Sequence, residues 1–188
     1  MKKTVWTFGL IAGLIMSGMM ALNVMAALRI GFDKAELIGY TTIIAAFLLI
    51  FFGVKSYRDN EPGRAITFRR AFLVGSLINV IACACYTTIW QFQYARIGSE
   101  FMERYAEHEI AEERAKGASE AQLTAKRAQM ENFARLYDKR LVNIALTFLE
   151  PFPVGLIVSL ISAGILRRRR DPTSGLSATH PSGAGAFV

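Results

Sequence analysis

Four long apolar runs fix most of what this chain can fold into: Val5–Leu28, Leu37–Val54, Phe72–Tyr94 and Leu141–Leu166. The hydrocarbon core of a bilayer is about 30 Å thick, and about 20 helical residues cross it. No water reaches backbone N–H and C=O groups there, so each run must satisfy them within itself as a helix. The expected fold is all-α. It is an integral membrane four-helix bundle occupying 1–170, with spans at about 5–28, 37–54, 72–94 and 141–166. The lipid bilayer is therefore its first partner. A polar segment, 95–140, separates the third and fourth spans. Residues 171–188 are rich in Ser, Gly, Pro and Ala, and such a tail buries too little apolar surface to fold alone.

Composition agrees. The chain is 53% hydrophobic with a formal net charge of +7, and its mean hydropathy is +0.31. The positive excess is local: Lys2 and Lys3, the stretch Lys55–Arg70, and Arg167–Arg170. Basic residues flanking spans set orientation and favour anionic headgroups. No aromatic-interleaved basic motif points to nucleic acid. The charges place both termini in the cytoplasm and the 95–140 segment outside. Lys139 and Arg140, next to the fourth run, argue mildly the other way. Met1-Lys2-Lys3 followed by an apolar stretch and Val24-Met25-Ala26 also resembles a Sec signal peptide. The stretch exceeds the usual length for one, so an uncleaved helix is preferred.

The polar segment reads as an αα-hairpin. Ser99 is the expected N-cap of its first helix, with Phe101, Tyr105 and His108 on one face. Gly117 fits the position just past the helix end, and Ser119 with Gln122 makes a capping box for the second helix. No Pro falls between Ala95 and Leu149, so the two helices can continue the third and fourth spans out of the membrane. Trp6, Tyr86, Trp90 and Tyr94 read as interfacial belts.

Three stripes of small residues recur every four positions: Gly9, Gly13 and Ser17; Gly75 followed by Asn79 and Cys83; Gly155 and Ser159. Such stripes let helix backbones approach closely where water cannot drive association. Packing within one chain is the preferred reading, and a homo-oligomer is the alternative. Cys83 and Cys85 point about 200° apart on a helix and are not expected to bond to each other.

The fourth run holds one ionisable residue, Glu150, followed by Pro151, Pro153 and Gly155. A charged group in hydrocarbon costs about 3 kcal/mol on insertion scales. Each proline frees a carbonyl one turn earlier: Thr147 for Pro151, Leu149 for Pro153. Asn79 lies at similar depth on the third span and is the expected partner. The functional reading is a protonatable or cation-coordinating site. The structural reading is a carboxyl latched to freed backbone or to Asn79, and it is somewhat preferred.

The loop Tyr57-Arg58-Asp59-Asn60 has turn composition. It suits either anionic lipid binding or, preferably, a basic anchor in which Asp59 satisfies turn amides. Thr67 is the expected cap of the third helix. His108 and His180 are remote from each other, so no metal site is expected. Neither is a cofactor, since no nucleotide-binding or nucleophile motif occurs. No catalytic residues are assigned and no enzyme is expected.

Gly53–Asn60 (GVKSYRDN), Ile66–Phe68, the hairpin residues FMERYAEHEI and KGAS, and above all FLEPFPVGLIVSLISAGIL resemble the domain-of-unknown-function family 4199 (DUF4199) over about residues 3–170. The resemblance implies a bacterial four-span membrane protein and carries no established activity. The expected role is a structural or interaction component of the membrane, with a membrane-protein partner. The alternative is a small transporter or proton-linked permease using Glu150.

Overall fold

The computed structural model describes residues 1–167, without the side chains of 30, 33–38, 40 and 42–46. The expected tail and His180 lie outside the described residues, as do all but the first of the four arginines. Among the described residues, six α-helices follow one another: α1 (Lys2–Ile30), α2 (Phe32–Asp59), α3 (Phe68–Ala115), α4 (Glu120–Tyr137), α5 (Arg140–Leu149) and α6 (Phe152–Leu166). No strand occurs among the described residues, and the fold is an all-α helical bundle.

Helix ends follow local chemistry. Gly31 turns the chain from α1 into α2 at φ 98°, a backbone setting that side chains with a Cβ rarely adopt. After α2, a single 3-10 turn at Pro62–Arg64 uses Gly63 at φ 73°. Thr67 Oγ1 accepts from the Arg70 amide at 3.4 Å and starts α3. Ser119 and Gln122 close the capping box that starts α4, and Gly117 takes φ 84° in the connection before it.

The longest element, α3, has 48 residues, which is about 72 Å at 1.5 Å per residue. It runs unbroken from the bundle into the hairpin. Ser99 is therefore mid-helix rather than the N-cap expected of it. The hairpin's return differs. Asp138 and Lys139 interrupt the helix between α4 and α5, so α4 does not continue the fourth apolar run. That run is itself two helices, broken at Glu150 and Pro151.

α3 is the axis of the bundle. It packs against α1 on one side and α6 on another, while α2 touches α1, α3 and α6. Val5, Ile50, Val54, Val74 and Ile78 form the largest apolar core. The outer faces are also apolar: Trp6, Leu14, Phe92 and Ile165 are each more than half exposed. A protein in water rarely leaves so much apolar surface bare. Among the described residues, three stretches are long and apolar enough to cross a membrane: Lys2–Arg29, Phe68–Ala115 and Arg140–Leu166. The 28 residues of α2 run about 42 Å.

Candidate functional site

The break between α5 and α6 organises the candidate site. The Glu150 amide still bonds the Leu146 carbonyl at 3.0 Å, and the Gly155 amide bonds Pro151 O at 3.1 Å. Between them, Pro151 and Pro153 have no N–H to give, so the helix bends without unravelling. Asn79 braces the bend from α3. It is fully buried, its Nδ2 donates to Phe152 O at 3.0 Å, and its Oδ1 accepts from the Cys83 thiol at 3.5 Å.

Asn79 therefore serves a carbonyl beyond the break. It bonds neither Glu150 nor the carbonyls of Thr147 and Leu149 that the prolines free. The reason is Gly155. A Cβ there would overlap the Asn79 amide atoms, so the bare glycine backbone makes the notch that Asn79 fills. The two side chains expected to pair are close in sequence depth but committed to different surroundings.

Glu150 faces elsewhere. Its side chain is exposed and lines a cleft of about 630 Å³ bounded by α1, the start of α2, α3, α4 and α5. On α3 the lining runs from Tyr86 to Glu112, about 39 Å of helix. Among the described residues, Glu150 makes no hydrogen bond or ion pair. The latch reading of Glu150 thus lacks its contact.

A ladder of rings ties the hairpin to the bundle along this cleft. Phe32 lies 5.7 Å from Phe101 and from Tyr105, and 5.3 Å from His108. Phe101 meets Trp90 edge-on at 5.5 Å. Tyr94 packs on Trp90 at 5.7 Å and on Tyr137 at 5.3 Å. Such pairs contribute roughly 0.5–1.5 kcal/mol beyond burial. Trp90 is only 6% exposed, so the expected belt of Tyr86, Trp90 and Tyr94 is turned inward to the hairpin and cleft rather than outward to an interface.

A polar chain adjoins the ladder, and the sequence reading missed it. Gln91 Nε2 donates to Asn143 Oδ1 at 2.7 Å. Thr147 Oγ1 donates to the same oxygen at 3.4 Å. The Thr147 hydroxyl has a single proton, so the Tyr137 hydroxyl is the donor in their 3.1 Å contact. Tyr94 Oη donates to Asp138 Oδ1 at 2.6 Å and holds the α4–α5 corner. The signal was available: Asn143 and Thr147 sit four apart on one face of an apolar helix. Burial pushes the Tyr137 phenol above its ordinary value.

The small-residue stripes pack within the chain. A Cβ on Gly9 would meet Ile81, and one on Gly13 would meet Cys85. Both contacts join α1 to α3. Gly75 faces Ser159, as Gly155 faces Asn79, joining α3 to α6. Ser17 and Ser159 return their hydroxyls to the carbonyls of Gly13 and Gly155 at 2.6 and 2.8 Å.

The Tyr57–Asn60 loop is a helix end. Tyr57 is buried in the main core. Asn60 Nδ2 donates to Ser56 O at 2.8 Å and caps α2. Asp59 accepts from Arg58 at 2.7 Å rather than from turn amides, because the adjacent guanidinium reaches it first. That guanidinium holds the Asp59 carboxyl below its ordinary range. Among the described residues, no cluster of His, Cys, Asp and Glu is placed to hold a metal ion.

The sequence pattern of proteins of unknown function described as DUF4199 matches residues 7–168. The chain belongs to this family. No curated protein and no solved structure matches it. The family's unknown function leaves the Glu-Pro-Phe-Pro break, the Asn79 brace and the cleft as the features to explain.

Proposed function

We propose that the chain is a four-span protein of the bacterial cytoplasmic membrane that works as a non-enzymatic interaction component. Both termini are cytoplasmic and the α3–α4 hairpin is periplasmic. This orientation rests on Lys2, Lys3 and the basic stretch Lys55–Arg70.

The observation that carries the reading is the unbroken α3. A hairpin built on the same helix as the bundle, and clamped by Trp90, Phe101 and Tyr94, is held rigid. Rigid surfaces lose less entropy on binding than mobile ones. Arg127, Glu131 and Arg135 stand exposed on α4 and offer a charged face to another membrane protein or a second copy. Charge reversal at Arg127 and Arg135 should abolish crosslinked capture of that partner while helicity is kept. Capture that survives the reversal would count against the reading.

A second reading is favoured by one specific observation, the unpartnered Glu150 in an open cleft. It makes the chain a small transporter or proton-linked permease. Uptake into proteoliposomes should then depend on pH and fall in Glu150→Gln. Unchanged flux in that variant rejects it.

A further inference from the structure

We infer that the cleft between α1, α3, α4 and α5 is a binding site for a lipophilic ammonium, an amine carried as its cation on an apolar body. The inference goes beyond the docking role of the hairpin and stands without it.

Charge is the first argument. Among the described residues, no Lys or Arg lines the cleft, whereas Glu109, Glu112 and Glu150 do. Glu109 is matched by Lys126 at 2.7 Å and Glu112 by Lys116 at 2.8 Å. Among the described residues no Lys or Arg pairs with Glu150, and His108 lines the cleft as well. A carboxyl group facing an aromatic-lined cleft is favoured by an opposite charge placed beside it.

Ring chemistry is the second. Tyr86, Trp90, Phe101 and Tyr137 line the same cleft as Glu150. Aromatic faces attract cations, most strongly where water is excluded. They also supply apolar area for the body of the ligand, and about 630 Å³ lies within the usual range of small-molecule sites.

An unmet hydrogen bond is the third. Asn23, on α1, lines the cleft, and its Oδ1 is a buried acceptor without a donor that a turn of the amide would bring to a ligand. An ammonium N–H would satisfy it, and a carboxylate ligand would not. The cleft reaches from the membrane-depth residues Tyr86 and Glu150 to the hairpin, which suits a molecule with a charged head and an apolar body.

Three probes of one skeleton test this: naphthylmethylamine, naphthylmethanol and naphthoate. Binding is measured by equilibrium dialysis against the full chain in dodecyl maltoside, with empty micelles subtracted. The amine should bind saturably and at least tenfold tighter than the alcohol, with no saturable naphthoate. Glu150→Gln should bring the amine down to the affinity of the alcohol, and Glu150→Asp should keep the preference. Equal binding of amine and alcohol overturns the proposal, as does a Gln variant that keeps the preference. The wild-type series decides the matter even where the Gln variant fails to fold. Added phosphatidylethanolamine that displaces the amine identifies the natural ammonium as a lipid headgroup. Failure to displace identifies it as a free amine, and either result retains the cation site. Hairpin capture is unaffected by all of these outcomes, so the two readings fail separately.

Discussion

Gly155→Ala is the sharpest probe of how the broken fourth apolar run is held. A Cβ at this position overlaps the Asn79 amide, which is itself fully buried. Overpacking a tight interior costs typically 1–3 kcal/mol. Pushing Asn79 away also loses its bond to Phe152 O. In membrane proteins such a bond contributes about 0.6 kcal/mol on average, and more where a buried group is left unpaired. Replacing helical Gly by Ala returns roughly 0.5–1 kcal/mol. The net expectation is a loss of about 2 kcal/mol.

Gly164 provides the internal control, since a Cβ there meets nothing within 4 Å. Gly164→Ala should be neutral or stabilising by about 0.5–1 kcal/mol. Equilibrium unfolding in dodecyl maltoside with increasing dodecyl sulfate, followed by helicity, measures both. A double-mutant cycle with Asn79→Ala isolates the contact. Once the amide is gone, Gly155→Ala should cost little or nothing. A Gly155→Ala penalty that is the same with and without Asn79, or a penalty equal to that of Gly164→Ala, refutes the notch.

Two further outcomes follow from the same geometry. Asn143→Leu should destabilise by about 1–2 kcal/mol, because Gln91 and Thr147 lose a buried acceptor, while the Gln91→Leu/Asn143→Leu double variant should recover part of the loss since both polar partners are then gone; the same unfolding titration reads it, and a double variant worse than Asn143→Leu refutes it. Lys116 holds the Glu112 carboxyl below its ordinary value, so the pair's contribution is present above that value and is lost as pH falls through the depressed one; carboxyl NMR should show the midpoint of Glu112 rising in Lys116→Gln, and an unmoved midpoint would contradict the pairing.

Much of the architecture was legible locally. Thr67, Gly117 and the Ser119–Gln122 box each act through neighbours within a few residues, so the signal and the partner share one stretch of chain. Ser99 misled because a polar residue can sit in a helix as well as cap it, and the Phe101, Tyr105 and His108 contacts to Phe32 keep the helix running. The candidate site was legible by residue but not by pairing. Asn79 and Glu150 were singled out by type and depth, yet depth says nothing about azimuth. The polar chain of Gln91, Asn143, Thr147 and Tyr137 was overlooked because its members come from three helices.

What the sequence determined by itself is set by backbone physics. Apolar runs long enough for a bilayer must be helices, because N–H and C=O groups have no other partner in hydrocarbon, and prolines inside one remove donors and kink it. Which side chains meet across helices was decided only by the tertiary structure. The bare backbone at Gly155 takes Asn79, and among the described residues that leaves Glu150 facing the cleft without a partner. Helix rotation and crossing arise from how small residues let particular faces approach. A spacing of four along one chain records that a face exists and not what it will touch.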